Sequence, residues 1–249
     1  METLQLEHKG PVAWVWLNRR RQLNAMNEIT LAELRGAFED LEQDEDVRAI
    51  VLAARGLVFC AGFEVAGMAG QDAEAVGPGL PGIEATFDTI EACAKPVIAA
   101  VQGAAMGGGL LLTLVADAVL ASEHAKFGAP EVKLGMFPNL RLIPRLERMV
   151  GARGAKQMVL TGKPVDAATA LDWGLVNRVL PSRELHTEAQ ALAEELAALP
   201  PFAVQSAKAT FGAGHRPDFV AWERQRFAEC WAHPERTAAM ETFLASRRK

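Results

Sequence analysis

Short apolar runs alternate with amphipathic stretches along the first 180 residues, and that alternation limits what this chain can fold into. "VAWVWLN" (12–18), "VRAIVLAA" (47–54) and "AVLAS" (118–122) read as strands. Between the first two, Asn27 is placed to cap a helix over about 28 to 41, with Leu31, Leu34, Phe38 and Leu41 on one side. A helix over 82–94 leads into "KPVIAAVQG", where Pro96 suits a strand's first residue better than its middle. Another helix is expected to start near Gly108 and end near Ala116. Such spacing predicts α/β layers with crossovers outside a sheet. After Pro181 the pattern turns helical, over 183–198, 201–211, 218–231 and 234–246. The expected division is a core over 1–199 and a helical region over 200–249, whose apolar faces would seal a site or a subunit contact. Residues 65 to 82, rich in Gly, Ala and Pro, read as a mobile loop.

A chain of 249 residues can bury a full core. Its net charge of −5 argues against a nucleic-acid surface, and the Arg19–Arg20–Arg21 cluster is too local to reverse that. Three scattered cysteines, Cys60, Cys93 and Cys230, indicate neither a disulfide framework nor a metal knuckle. "LLLTLVADAVLA" is short and interrupted by Asp117, so no membrane span is expected. The polar N-terminus and the cysteine usage make the cytoplasm the expected location.

Two segments share the order strand, turn, exposed backbone N–H. One is "VLAARGLVFCAGFEVAG" (51–67) and the other "VIAAVQGAAMGGGLLL" (97–112). The first amides of a helix have no acceptor within it and can bind an anion or oxyanion. Donors from two such turns could meet on one carbonyl oxygen; ordinary close packing of a helix on a sheet would explain the glycines equally well. "GAAMGGG" lacks the order of a dinucleotide fingerprint and the lysine of a P-loop. In "FGAPEVKLG" (127–135), Pro130 sets a bend beside Glu131. Buried there, the carboxylate would be a proton carrier near neutral pH; exposed, it would pair with Lys133. His124 and Asp117 form no evident triad, and Cys60 reads as a packed thiol rather than a nucleophile. Trp222, Phe227 and Trp231 make a broad face suited to core or oligomer packing.

Taken in order, "WLNRRRQLNAMN", "GLVFCAGFE", "KPVIAAVQGAAMGGGLLLTLVAD", "FGAPEVKLGMFP" and "ALDWGLVNRV" resemble the crotonase superfamily of enoyl-CoA hydratases and isomerases over nearly the whole chain. The resemblance implies a spiral of repeated β-β-α units with a C-terminal helical trimerisation region, assembling as a trimer or a dimer of trimers. It implies an acyl-CoA thioester as substrate, with coenzyme A present only as part of it, and neither cofactor nor metal. It gives Ala61 and Gly108 the oxyanion-hole amides and Glu131 the acid/base role. Around the substrate it places Arg21, Leu23, Ala25, Cys60, Gly62, Phe63, Glu64, Gly107 and Pro130, with Met68 and Phe87 as candidates for an acyl tunnel. Arg19 to Arg21 would lie near a CoA phosphate or stand as a solvated cluster. Glu64 would support the loop or the CoA region.

Two positions depart from the pattern. Leu111 stands where two-glutamate hydratases carry their other glutamate, and Asn139 stands near a position that is acidic in dienoyl-CoA isomerases. A single carboxylate suffices to move a double bond from a 3-enoyl-CoA to a 2-enoyl-CoA, so the resemblance favours isomerisation, with hydration as the alternative. A noncatalytic acyl-CoA-binding protein is the reading from another class.

Overall fold

Strand β2 (Val12–Leu17) has all six residues buried, because both faces of the sheet around it are covered. Alternate side chains point to opposite faces of a strand. Ala13, Val15 and Leu17 therefore join the main core, while Val12, Trp14 and Trp16 join a second cluster on the other face. Strand β1 (Leu4–Lys9) pairs antiparallel with β2, and β3 (Ala49–Ala54) pairs with it in parallel. The computed structural model describes residues 1–64, 79–211 and 217–246.

The β2–β3 crossover is helix α1 (Glu28–Gln43), which buries Leu31, Leu34, Phe38 and Leu41. Asn27 caps it, its Oδ1 accepting the Thr30 N–H at 3.0 Å. Asn27→Ala is expected to cost about 1 kcal/mol, read as a lower denaturant midpoint. Helix α2 (Leu80–Ala92) begins two residues earlier than expected, inside the stretch read as a loop; residues 65–78 of that stretch lie outside the described residues. Strand β4 (Val97–Val101) starts directly after Pro96, whose carbonyl accepts the Ile50 N–H at 2.9 Å.

From β4 onward the chain passes back and forth between two sheets. Strand β5 (Ala104–Met106) leaves the first sheet for the second, and helix α3 (Gly108–Leu114) follows. Strand β6 (Ala118–Ser122) returns to the first sheet and β7 (Lys126–Gly128) to the second. After helix α4 (Leu142–Thr161), β8 (Val165–Asp166) joins the second sheet; after helix α5 (Ala167–Asp172), β9 (Arg178–Leu180) joins the first. The result is a six-stranded sheet in the order β1-β2-β3-β4-β6-β9 and a three-stranded sheet in the order β5-β7-β8. This is the expected α/β spiral. Helix α6 (Leu185–Ala197) covers the second face of the large sheet, packing Leu185, Ala189, Ala193 and Ala197 with Trp14 and Trp16.

Helices α7 (Pro201–Thr210), α8 (Phe219–Ala232) and α9 (Pro234–Ser246) complete the chain. Lys208 of α7 donates to Asp117 Oδ2 at 2.5 Å and to the Lys95 carbonyl at 3.0 Å, which fastens α7 to the core. Phe227 and Trp231 are 65% and 54% exposed, so core packing is ruled out for them within this chain. No helix among the described residues is long and apolar enough to cross a membrane.

Candidate active site

The three glycines at the start of α3 each answer to different neighbours. A Cβ on Gly109 would stand 2.2 Å from the Cys60 carbonyl oxygen. One on Gly108 would stand 2.7 Å from Met26 Cε and 2.9 Å from Phe63 Cε2. Gly107 has φ +52, and a Cβ there would meet Glu131 Oε1 at 2.8 Å. The run thus brings a helix start against one backbone carbonyl, one methionine tip, one aromatic ring and one carboxylate. All seven residues of α3 are buried.

The Cys60 segment is laddered to β5: Cys60 N–H donates to the Ala104 carbonyl (3.0 Å), and Met106 N–H to that of Cys60 (2.9 Å). This sets the turn 60–64 beside the α3 N-terminus. A Cβ on Gly62 would lie 3.6 Å from Gly108 N. Gly108 is the first residue of α3, where helix amides lack internal acceptors, and among the described residues its N–H has no hydrogen-bond partner.

The second donor differs from the sequence expectation. The Ala61 N–H donates to the Leu23 carbonyl at 3.1 Å, so it is occupied. Gly62 then takes φ +105, which reverses the direction of the following amides. Met26 N–H donates to Gly62 O (2.8 Å) and Glu64 N–H to Met26 O (2.9 Å). Phe63 lies between these two bonds, in a parallel bridge with Met26. Its N–H has no acceptor among the described residues. The amide available beside Gly108 is that of Phe63, not Ala61.

Glu131 opens a 3-10 turn (Glu131–Leu134) directly after Pro130. No ion pair with Lys133 forms among the described residues; the Lys133 stem lies instead where a Cβ on Gly162 would meet it at 3.1 Å. Glu131 Oε2 is buried and has no hydrogen-bond partner among the described residues. Burial raises its pKa above the ordinary carboxylate value. A carboxyl with a raised pKa and one buried oxygen unpaired among the described residues, beside a glycine cradle with two free amides, is an arrangement able to move a proton next to an oxyanion.

The enoyl-CoA hydratase/isomerase family model matches residues 7–249. The chain belongs to the enoyl-CoA hydratase/isomerase family. It is 36% identical over 248 residues to a short-chain-enoyl-CoA hydratase of Clostridium acetobutylicum, covering 98% of this chain and 95% of the relative. It is 35% identical over 252 residues to a crotonyl-CoA hydratase of Syntrophomonas wolfei, covering 99% and 96%. Among solved structures, an enoyl-CoA hydratase from Bacillus anthracis superposes with a TM-score of 0.93 at 30% identity, covering 98% of this chain and 96% of that one.

In this member of the enoyl-CoA hydratase/isomerase family, Leu111 is 1% exposed and sits one turn beyond Gly107 and Gly108 on their side of α3. It adds hydrocarbon at the position where the resemblance to two-glutamate hydratases would put a second carboxylate. Asn139 is exposed; its carbonyl accepts the Leu142 N–H at 3.0 Å, and its side chain makes no hydrogen bond among the described residues. Glu64 is ion-paired with Arg19 at 2.9 Å, which fits a supporting role. Ala25 gives its carbonyl to the same Arg19 guanidinium. Arg21 and Leu23 are exposed on the turn that carries Arg19.

Phe63 packs edge to face on the fully buried Phe87, with centroids 6.2 Å apart. Met68, its expected companion in an acyl tunnel, lies outside the described residues. Burial pushes the Cys60 thiol up to about 12, which leaves it protonated and poorly nucleophilic. His124 stands exposed beside Glu123, and Asp117 is held by Lys208, so the two form no dyad. Among the described residues no group of three or more His, Cys, Asp or Glu is placed to hold a metal ion.

Sequence reasoning passed over Asn24, which is 2% exposed. Its side chain accepts the Arg19 N–H at 2.9 Å and donates to the carbonyls of Arg55 (2.9 Å) and Val58 (2.8 Å). The available signal was an asparagine ahead of a helix cap, in a stretch suited to a tight turn.

Proposed function

We propose that this chain binds an acyl-CoA thioester, holds the thioester oxygen on the N–H groups of Gly108 and Phe63, and moves protons beside the carbonyl with Glu131. The observation that carries this reading is the placement of the Glu131 carboxyl: its Oε1 stands at the Gly107 end of the glycine cradle, and its Oε2 is buried without a hydrogen-bond partner among the described residues. Negative charge developing on the thioester oxygen would meet two amides already in place, and removal of one such donor costs ~10²–10³ in rate in a comparable oxyanion hole.

Two finer reactions fit that apparatus. Hydration of a 2-enoyl-CoA is favoured by the names of the relatives, which are hydratases. Glu131 would then take a proton from water as its oxygen adds to C3, and return a proton to C2 of the enolate. Isomerisation is favoured by Leu111, which offers water no anchor. Glu131 would remove a C2 proton from a 3-enoyl-CoA, and the dienolate would collect it at C4.

Incubation with 2-enoyl-CoA and with 3-enoyl-CoA, with products resolved by mass-linked chromatography, separates the two. A 3-hydroxyacyl product from the 2-enoyl substrate supports hydration. Conjugation of the 3-enoyl substrate without hydroxyacyl product supports isomerisation, and inertness toward both overturns the proposal. In either case Leu111→Glu is expected to raise hydration of 2-enoyl-CoA by about 10²-fold, the low end of what a positioned acid or base contributes.

A further inference from the structure

Asn24 holds the turn that aims the Phe63 amide. Among the described residues only four non-glycine residues have left-handed backbone, and two of them are Leu23 and Asn24, with φ +52 and +56. Such a conformation is unfavourable for a leucine, so the surroundings must fix it. The Asn24 side chain does so in both directions. Its Oδ1 receives the Arg19 N–H, and its Nδ2 reaches the carbonyls of Arg55 and Val58 across the loop after β3.

The same Val58 carbonyl accepts Gln102 Nε2 at 3.2 Å, and Gln102 Nε2 also reaches the carbonyls of Ala54 (3.0 Å) and Gly56 (3.2 Å). Two amide side chains from separate turns thus grip one carbonyl, five residues before Phe63. On the far side, the backbone of the Asn24 turn receives Ala61 N–H at Leu23 and pairs Met26 with Phe63. Three bonds that hold Phe63 with its N–H turned away from Met26, those of Ala61 to Leu23, Met26 to Gly62 and Glu64 to Met26, therefore involve the turn that Asn24 shapes.

We propose that Asn24 is a positioning residue for the oxyanion donor: by tying the 19–26 turn to Arg55 and Val58, it aims the Phe63 N–H at the thioester oxygen. The inference rests on the function proposed above. It predicts a defect in carbonyl polarisation beyond any defect in folding.

Asn24→Asp keeps the size and the acceptor for Arg19 while removing both Nδ2 donors. The probe is the CoA thioester of a cinnamic acid bearing a para-amino group, whose absorption moves to the red as its carbonyl is polarised. The wild-type protein is expected to shift this absorption on binding. Asn24→Asp is expected to lose at least half of the shift and to lower kcat by about 10²-fold with KM nearly unchanged, as a misplacement of about 1 Å would. A variant that loses thermal stability yet keeps the full shift and kcat within twofold overturns the role given to Asn24 and leaves the proposed function standing. A wild-type protein that neither shifts the probe nor turns over an enoyl-CoA overturns both. If Asn24→Asp does not fold, Gln102→Met, which releases the same Val58 carbonyl, is read by the same two measurements.

Discussion

Glu131→Gln is expected to lower kcat on the enoyl-CoA substrate by about 10²–10⁴-fold, the contribution of a positioned acid or base, while acyl-CoA binding persists. The glutamine matches the carboxyl in size but cannot exchange the proton. The same substitution is expected to raise the melting temperature at neutral pH. Burial lifts the folded-state pKa of Glu131 above its ordinary value near 4.5, so the native state keeps a proton that the unfolded chain has already released. Stability conferred by this group therefore falls as pH rises from about 4.5 through the folded pKa, and the full cost of a buried charge is present above it. Glutamine never bears that charge. The advantage of the variant should be largest at neutral pH and should vanish below the ordinary carboxylate pKa. Melting curves across pH test this, and an advantage that persists undiminished in acid would contradict it. The acid limb of the rate profile should likewise lie above the ordinary carboxylate range, because a protonated Glu131 cannot accept a proton.

Gly109→Ala is expected to be among the most destabilising single substitutions in the chain. Its methyl group would lie 2.2 Å from the Cys60 carbonyl oxygen. That oxygen already accepts the Met106 N–H, so it cannot withdraw without opening the contact between the oxyanion turn and β5. Overpacking usually costs 1–3 kcal/mol when side chains can shift; against a fixed backbone about 3 kcal/mol or more is expected. That is a large part of the 5–15 kcal/mol that holds a typical domain together. Gly108→Ala should behave differently, since its new methyl meets the tip of Met26 and the edge of the Phe63 ring, both side chains. It should melt closer to the parent yet lose about 10²–10³-fold in kcat as the donor pair is pushed apart. Equal stability losses for the two variants would show that the Cys60 contact does not have the rigidity assigned to it.

The apolar runs that became β2, β3, β4 and β6 were legible because strands buried on both faces are written in hydrocarbon. Asn27 was legible as a cap because its chemistry is local. The short strands β5, β7 and β8 were not, since two or three residues carry no measurable period and exist only through their partners. The alternation between two sheets is a tertiary fact for the same reason.

Within the site, Glu131 and the glycine run stood out by residue type and spacing. The choice between the amides of Ala61 and Phe63 did not. It depends on the backbone reversal at Gly62, and a glycine in a sequence permits such a reversal without requiring it. Asn24 was hidden because both bonds from its Nδ2 run to residues more than thirty positions away. Leu111 was visible as a departure, and its burial on the Gly108 side of α3 gives the departure a place in the site.

Cys60 carries a consequence for how motion in this protein can be observed. Its thiol is wholly enclosed and stays protonated at any ordinary pH. An alkylating reagent can reach it only when the oxyanion turn parts from β5 and α3. The rate at which that sulfur is modified, followed by mass spectrometry of the peptide around residue 60, is therefore a clock for spontaneous opening of the proposed catalytic centre. Ligands that hold the turn over residues 60–64 shut should slow the clock, and their ranking by that slowing requires no turnover.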